Sequence, residues 1–424
     1  MAGFNENCYE WWQFFIMPFI AGFVGWITNV IALEMTFRPI NFFGIELFRI
    51  KDQPWGFFGW QGIIPAKAEK MASTCFDLIT TKLLNVQEQF NRLDPKRFSE
   101  VMESGLLLLI DEVLDEVGME YMPHIWMDLP QDVKDELVVV ADLSSSNFLT
   151  AFMADMVAHI EDVVDIKEMT VSACVRERRL MVTVFKQCGE KEFNFIRHSG
   201  FYFGFLFGCI QMTIWFFYTG SWILPIAGFL VGWATNWLAL KVIFRPLYPT
   251  KFLCWTVQGI FLKRQKEVSE AFARVACVEV LHVKAVWDAI FTGPLCNNFF
   301  AMLRAHAIVF TEELVGAGGL KPFAVAALGA DKYAAMKESI AHKICEKIPS
   351  IIDQSYQYMT DALHMEETIN DRMTKISAEE FEGVLHPAFQ EDEIILIAVG
   401  GVLGLIVGIV QLFVIFADNK NAGC

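Results

Sequence analysis

Four long apolar stretches stand out along the chain, near residues 11 to 33, 199 to 218, 222 to 240 and 394 to 417. As helices, each is long enough to cross a hydrocarbon core of roughly 30 Å, so four spans are predicted. Only Tyr218, Thr219, Gly220 and Ser221 separate the second from the third, which predicts a tight helical hairpin. The first stretch reads as a retained span and not as a cleaved leader. Asn5, Glu6 and Glu10 stand where a basic region should be, and no small-residue cleavage site follows. Between the spans the pattern becomes amphipathic. Met71, Cys75, Phe76, Ile79 and Leu83 recur near the helical period, as do Val268, Phe272, Val275, Val278 and Leu281, predicting helices with one buried stripe over 66 to 93 and 264 to 291. Asp94-Pro95 and Thr292-Gly293-Pro294 break them, and proline is well placed to start the next helix. Further helices are predicted over 95 to 117, 130 to 142 and 146 to 188, and over 294 to 315, 331 to 347, 349 to 363 and 366 to 384. Strand signals are nearly absent. Gly316-Ala317-Gly318-Gly319 reads as a turn between helices, since no strand precedes it and no Lys-Ser/Thr follows.

The pattern occurs twice. Residues 16 to 39 align without a gap to 223 to 246 and are identical at 12 of 24 positions, including Gly25-Trp26, Thr28-Asn29 and Phe37-Arg38-Pro39. Gln61-Gly62-Ile63 returns as Gln258-Gly259-Ile260, and Gly200, Gly204, Gly208 and Gln211 return as Gly400, Gly404, Gly408 and Gln411. A period of about 200 residues predicts a duplicated domain and not a solenoid. Residues 1 to 220 form the first repeat and 221 to 424 the second. With two spans each, both repeats enter the membrane in the same direction, as parallel repeats. The predicted fold is an all-α integral membrane protein with four transmembrane helices. Its two long helical extramembrane segments, 41 to 196 and 247 to 392, lie on the same side.

Charge suggests which side. Arg38, Arg49, Lys51, Lys67 and Lys70 follow the first span and Arg245, Lys251, Lys263, Arg264 and Lys266 the third, against Lys420 alone across the membrane. The positive-inside bias places the large helical segments in the cytoplasm. The cysteines (Cys8, Cys75, Cys174, Cys188, Cys209, Cys254, Cys277, Cys296, Cys345 and Cys424) show no paired spacing and no CxxC, which agrees with a reducing compartment and supports neither a disulfide framework nor a zinc site. A net charge of −16 argues against a nucleic-acid partner. Acidic groups such as Asp111, Glu112, Asp115, Glu116 and Glu120 read as a solvated surface, with a basic partner or bound cations as the other reading.

Candidate functional residues cluster on the spans. Thr28, Asn29, Thr235 and Asn236 are polar groups in apolar helices, where they need partners. They read as polar glue between the repeats, or alternatively as a permeation or ligand site. Glu34 and Lys241 occupy the same position in the two repeats with opposite charge, which predicts an ion pair across the symmetry axis. Gly25, Gly200, Gly204, Gly208, Gly228, Gly232, Gly400, Gly404 and Gly408 are spaced by four with small neighbours such as Ala21, predicting close helix packing over a pore or flexible element. Arg38 and Arg245, each before proline, are placed to hold lipid phosphate. Trp55, Trp60 and Trp255, among other aromatics, suggest an interfacial collar over a buried hydrophobic cofactor site.

Nothing in the chain supports catalysis. It has no HExxH helix, Walker loop, GxGxxG after a strand, or GxSxG elbow. His159-Ile160-Glu161-Asp162 and His364-Met365-Glu366-Glu367 mix metal-ligand types, but their spacing puts the groups on different helix faces. No cofactor or metal is expected.

Together, Gly-Trp-x-Thr-Asn-x-x-Ala-Leu, Phe-Arg-Pro, Gln-Gly-Ile-Ile-Pro-x-Lys and the closing Gly-x-x-x-Gly-x-x-x-Gly-x-x-Gln span resemble the YheB/YjiN-type uncharacterised membrane proteins of bacteria (domain of unknown function 445), over about residues 14 to 412. Leu262 departs from the pattern by replacing the proline of the second Ile-Pro-x-Lys element. The resemblance implies an integral membrane protein with long helical extramembrane domains and no particular reaction. The expected function is that of a non-enzymatic membrane scaffold whose helical arms self-assemble or bridge to another surface. Its partners would be membrane lipid and further copies of the chain. The alternative is lipid handling or transport through the Thr-Asn site and an apolar groove.

Overall fold

A computed structural model describes residues 11–45, 53–56, 58–218, 222–252, 255–317, 321–385 and 393–415. The protein is an all-α membrane protein. Its long helices are α1 Trp11–Phe37, α2 Pro95–Tyr121, α3 Gln131–Ala158, α4 Glu190–Phe217, α5 Ile223–Phe244, α6 Cys296–Ala317, α7 Ala330–Lys347 and α8 Glu393–Ile415. Among the described residues, five helices are long and apolar enough to cross a membrane: α1, α3, α4, α5 and α8. Four match the predicted spans. The addition, α3, carries Asp132, Lys134, Asp135, Glu136, Asp142 and Asp155 along its length.

The chain divides into two compact units. The first comprises Met1–Ile79, Val171–Val275 and Asn370–Cys424, and so contains α1, α4, α5 and α8. In it α1 packs along α4 and α5 along α8, α4 packs on α5, and α1 touches α8 and α5. Two apolar clusters join the helices. Met17, Trp215, Ile223 and Leu224 pack with Met212 and Leu412 at one level, and Ala32, Ile63, Leu240 and Leu396 at another. The second unit, Thr80–Thr170 with Ala276–Ile369, is a bundle in which α2 packs on α3, α3 on α6, α6 on α7 and α7 on α2. Phe148 and Phe152 of α3 meet Phe310 and Phe299 of α6, with ring centroids 5.0 and 5.6 Å apart. Each unit therefore draws helices from both halves of the sequence. In the second unit Phe148 and Phe152 from the first helical segment are buried against Phe310 and Phe299 from the second.

Several boundaries differ from the sequence reading. No break separates 130 to 142 from 146 to 188. Helix α3 runs through Ser144-Ser145-Ser146 because Ser145 turns its hydroxyl onto the carbonyl of Asp142, 2.8 Å away, and causes no local exit from the helix. The breaks fall later, at His159, Val164 and Glu177. The predicted helix over 66 to 93 is interrupted before Asn85, whose side chain caps Val86–Phe90 by accepting from Glu88 N at 2.8 Å. At the matching break over 264 to 291, His282 Nδ1 accepts from Ala285 N at 3.0 Å. Two short antiparallel hairpins also went unread: β1 Trp55–Gly56 with β2 Gly59–Trp60, and β3 Thr250–Phe252 with β4 Trp255–Val257. They are too short for a period-two pattern to register. In the Gly316 to Gly319 stretch, Gly316 and Ala317 end α6, while Gly318 and Gly319 lie outside the described residues, as do Lys420, Cys8, Cys254 and Cys424.

Candidate functional site

The nine glycines and the two Thr-Asn pairs meet where the spans cross. A methyl group at Gly25 would run into the carbonyl of Gly200, and one at Gly204 into the carbonyl of Ala21. The α5–α8 pair repeats this, with Gly232 against Gly400 and Gly228 against Gly404. Gly208 and Gly408 lie against Pro18 and Leu224. Backbones this close exchange dispersion and weak hydrogen bonds where lipid provides no hydrophobic drive.

The asparagines sit at one end of these crossings. Asn29 Nδ2 donates to the carbonyl of Ile196 on α4 at 2.6 Å, and Asn236 Nδ2 donates to that of Leu396 on α8 at 2.8 Å. Each bond joins two spans of the same half, which corrects the expected glue between halves. The small residues bring α1 onto α4 and α5 onto α8, so the carbonyl within reach belongs to the neighbour within the half. Thr28 and Thr235 are buried and bond the carbonyls of Gly25 and Gly232 in their own helices, at 3.1 and 3.2 Å. The predicted Glu34–Lys241 pair does not form. Glu34 lies 3.7 Å from Arg38 one turn on, and Lys241 lies 5.2 Å over the Trp237 ring; both are exposed side chains of their own helices.

A polar link between the halves lies below the crossings and was missed by the sequence reading. Glu192, in the first turn of α4, is buried and receives Arg264 Nη1 on Oε1 at 2.5 Å. Arg264 caps the helix Ile260–Lys263 and also reaches Glu267 at 3.0 Å, and Glu267 pairs with Lys191 at 2.7 Å. Lys191 and Arg264 hold the Glu267 carboxyl below the usual carboxylate range. Beside this network is a small apolar cavity of about 30 Å³ lined by Cys188, Glu192, Phe193, Leu240, Phe244 and Phe261, among others. The available sequence signal was the basic residue closing both Gln-Gly-Ile elements, Lys67 and Arg264. A buried acid on an otherwise apolar face was the other half of it.

The span exits are latched alike in both halves. Gln61 Nε2 donates to Ile40 O at 2.7 Å and Gln258 Nε2 to Leu247 O at 3.2 Å, while Gly62 N and Gly259 N donate to Pro39 O and Pro246 O. Both Arg-Pro bonds are cis. Arg245, half exposed, lies 3.5 Å from the buried carboxylate of Glu382. Trp55 is exposed with its ring 5.1 Å from that of Trp60, whose Nε1 bonds Met35 O. Phe43 and Phe58 beside them are exposed. The side chain of Trp255 lies outside the described residues.

The two mixed clusters do not gather ligands. His159 Nδ1 pairs with Asp155 at 3.0 Å and His364 Nδ1 with Glu367 at 3.3 Å, and no group of three metal-ligating side chains converges among the described residues.

No family model matches the chain, and no solved structure matches it. A UPF0754 membrane protein of Trichodesmium erythraeum is 32% identical over 108 residues, which is 26% of this chain and 25% of the relative. UPF0754 membrane protein Npun_R4433 of Nostoc punctiforme is 28% identical over 109 residues, and alr5253 of Nostoc sp. 27% over 106. The chain spans about a quarter of the length of the curated relatives it matches. The protein is thus an all-α membrane protein, distantly similar over that quarter to bacterial UPF0754 membrane proteins.

Proposed function

We propose that the protein is a non-enzymatic, four-span membrane scaffold built by tandem duplication, and that its second unit associates with further copies of the chain. The finer family assignment to the YheB/YjiN type belongs to this reading and rests on the motifs. The observation that carries the proposal is a set of large apolar side chains left exposed on the second unit: Leu108 on α2, 73% exposed, with Val139 and Leu143 on α3, 58% and 73% exposed. Helices α2 and α3 run antiparallel, since Ser99 meets Ser146 and Asp115 meets Lys134. Counting inward from those contacts sets Leu108 level with Val139 and within a turn of Leu143. Apolar residues grouped on an otherwise acidic surface mark an interaction site more often than a solvated face. The arms' longer stripes are engaged with each other inside the chain, so association would use this shorter patch.

Helix α3 is assigned to the second unit's bundle, not to the membrane, because its charges recur through both of its ends. The basic residues after α1 and α5 favour a cytoplasmic position for the helical segments. Sedimentation in detergent and in lipid nanodiscs tests the association. Wild-type protein is expected to form concentration-dependent oligomers, and Leu108→Glu with Leu143→Glu to leave a monomer of unchanged helix content. A wild-type monomer at every concentration would end the reading. Lipid handling remains the second reading, favoured by a lateral groove on the α1–α4 pair.

A further inference from the structure

We propose that this groove is a binding site for a membrane lipid with a rigid ring body and a single hydroxyl, a lipid of the sterol class. The inference is independent of the scaffold reading. Phe23 and Trp26 of α1 and His198, Phe201 and Tyr202 of α4 line a lateral groove of about 330 Å³. Phe23 and Tyr202 are exposed on helices that are apolar enough to span, so the groove opens towards lipid. Below it the aromatic wall continues, with Phe201 stacked on Phe205 at 6.4 Å and Phe205 edge-on to Phe19 at 5.2 Å. From His198 to Phe205 a helix rises about 10 Å, which gives an elongated apolar face with polar groups at one end only.

Those polar groups specify the ligand. His198 Nδ1 lies 2.7 Å from the carbonyl oxygen of Asn194, which can only accept, so Nδ1 donates there and Nε2 is left for a second partner. Tyr202 follows one turn later, and its hydroxyl makes no hydrogen bond among the described residues. The remaining imidazole nitrogen and a phenol that can give or take a hydrogen bond, on neighbouring turns, match a hydroxyl, which both accepts and donates. Among the described residues no lysine or arginine lines the groove, so a phosphate headgroup would lack its cation there. Flat aromatic walls favour a rigid ring system, which loses less freedom on ordering than an acyl chain does.

The other half of the chain is an internal comparison. In the register that pairs Gly200 with Gly400, His198 corresponds to Ala398, Phe201 to Gly401 and Tyr202 to Val402. The α5–α8 pair nonetheless makes the same glycine crossings and the same asparagine bond. Its aromatic ring comes from the opposite helix: Phe229 covers Gly401, where Phe201 covers Gly22. Packing of the spans therefore requires neither the imidazole nor the phenol. An ionisable group at the end of a span that the packing does not require points to a ligand.

The test uses the full chain in phosphatidylcholine nanodiscs with a photoactivatable sterol, the crosslinks being mapped to peptides. Saturable labelling of the α1 and α4 peptides, displaced by excess unlabelled sterol, is expected for the wild type. His198→Ala with Tyr202→Val, which copies the other half, should weaken apparent sterol affinity by about fivefold per lost hydrogen bond, with helix content unchanged. Tyr202→Phe alone, which removes one oxygen, gives the same reading for a single bond should the double variant fold poorly. Absent labelling, labelling unchanged in these variants, or equal displacement by excess phosphatidylglycerol or sterol would each overturn the proposal.

Discussion

At the scale of single residues, buried polar groups decide what the structure tolerates. Asn29 and Asn236 bond within their own halves, so their contributions should be independent. Each change to leucine is expected to cost about 1 kcal/mol, and the double variant the sum, measured by unfolding in mixed micelles. A coupling above about 0.5 kcal/mol would restore the idea of glue between halves. Glu192 and Arg264 should behave oppositely, because removing Arg264 leaves the buried Glu192 carboxylate without its cation. A double-mutant cycle with Glu192→Gln and Arg264→Met is expected to show coupling of about 1 to 3 kcal/mol. The buried thiols make a separate point. Burial pushes Cys75 and Cys188 up to about 12 and Cys174 to about 11. At pH 8 these three should resist alkylation in the folded protein and react once it is unfolded. Prompt reaction in the native state would contradict the packing around them.

For the elements, the crossing of the spans depends on side chains being absent. Gly25→Val or Gly232→Val must drive a span away from the carbonyl of Gly200 or Gly400, and overpacking of this kind costs about 1 to 3 kcal/mol or more. Gly383, in the helix Ala378–Leu385, has open space where a Cβ would go. Gly383→Ala is therefore expected to stabilise by roughly 0.5 to 1 kcal/mol, read as a rise in unfolding midpoint. Had Gly25→Val proved as harmless as Gly383→Ala, the close backbone approach would be wrong. The helix starts at Val86 and Val283 show how local chemistry overrides periodicity. Apolar spacing carries through both breaks, yet the Asn85 and His282 side chains bind the next helix's free N–H groups and end the preceding helix there.

For the whole molecule, the informative bonds run between distant parts of the sequence. In the second unit Glu116 of α2 receives Lys347 at 2.7 Å and Lys343 at 2.9 Å, both from α7, and Glu112 also receives Lys347. The bonds from Lys347 and Lys343 hold the Glu116 carboxyl below its usual range, and Lys337 does the same to Glu312. A depressed folded-state value means that the contribution is full above the ordinary carboxylate range, near pH 4.5, and fades as pH falls through the lower folded value. Melting of the helical signal should therefore shift to lower temperature as pH drops below 4.5, and more so at low salt, since these pairs are exposed and screened. An acid shift that is unaffected by salt would assign it to other groups.

The sequence alone determined where the apolar spans lie, that two of them form a hairpin, and which small residues share a face. Those facts follow from length and period, which are local. It also exposed the matched Gln-Gly and Phe-Arg-Pro signals, because recurring short motifs need no coordinates to be seen. Only the tertiary structure decided which surfaces meet. An amphipathic stripe specifies that a face is buried without naming the partner, so α2 against α7, α3 against α6, and Glu192 against Arg264 could not be read in one dimension. Asn29 and Glu34 show the limit most plainly. Their need for a partner was legible in the chain, whereas the partner was set by which carbonyl or charge the folded backbone brought within 4 Å.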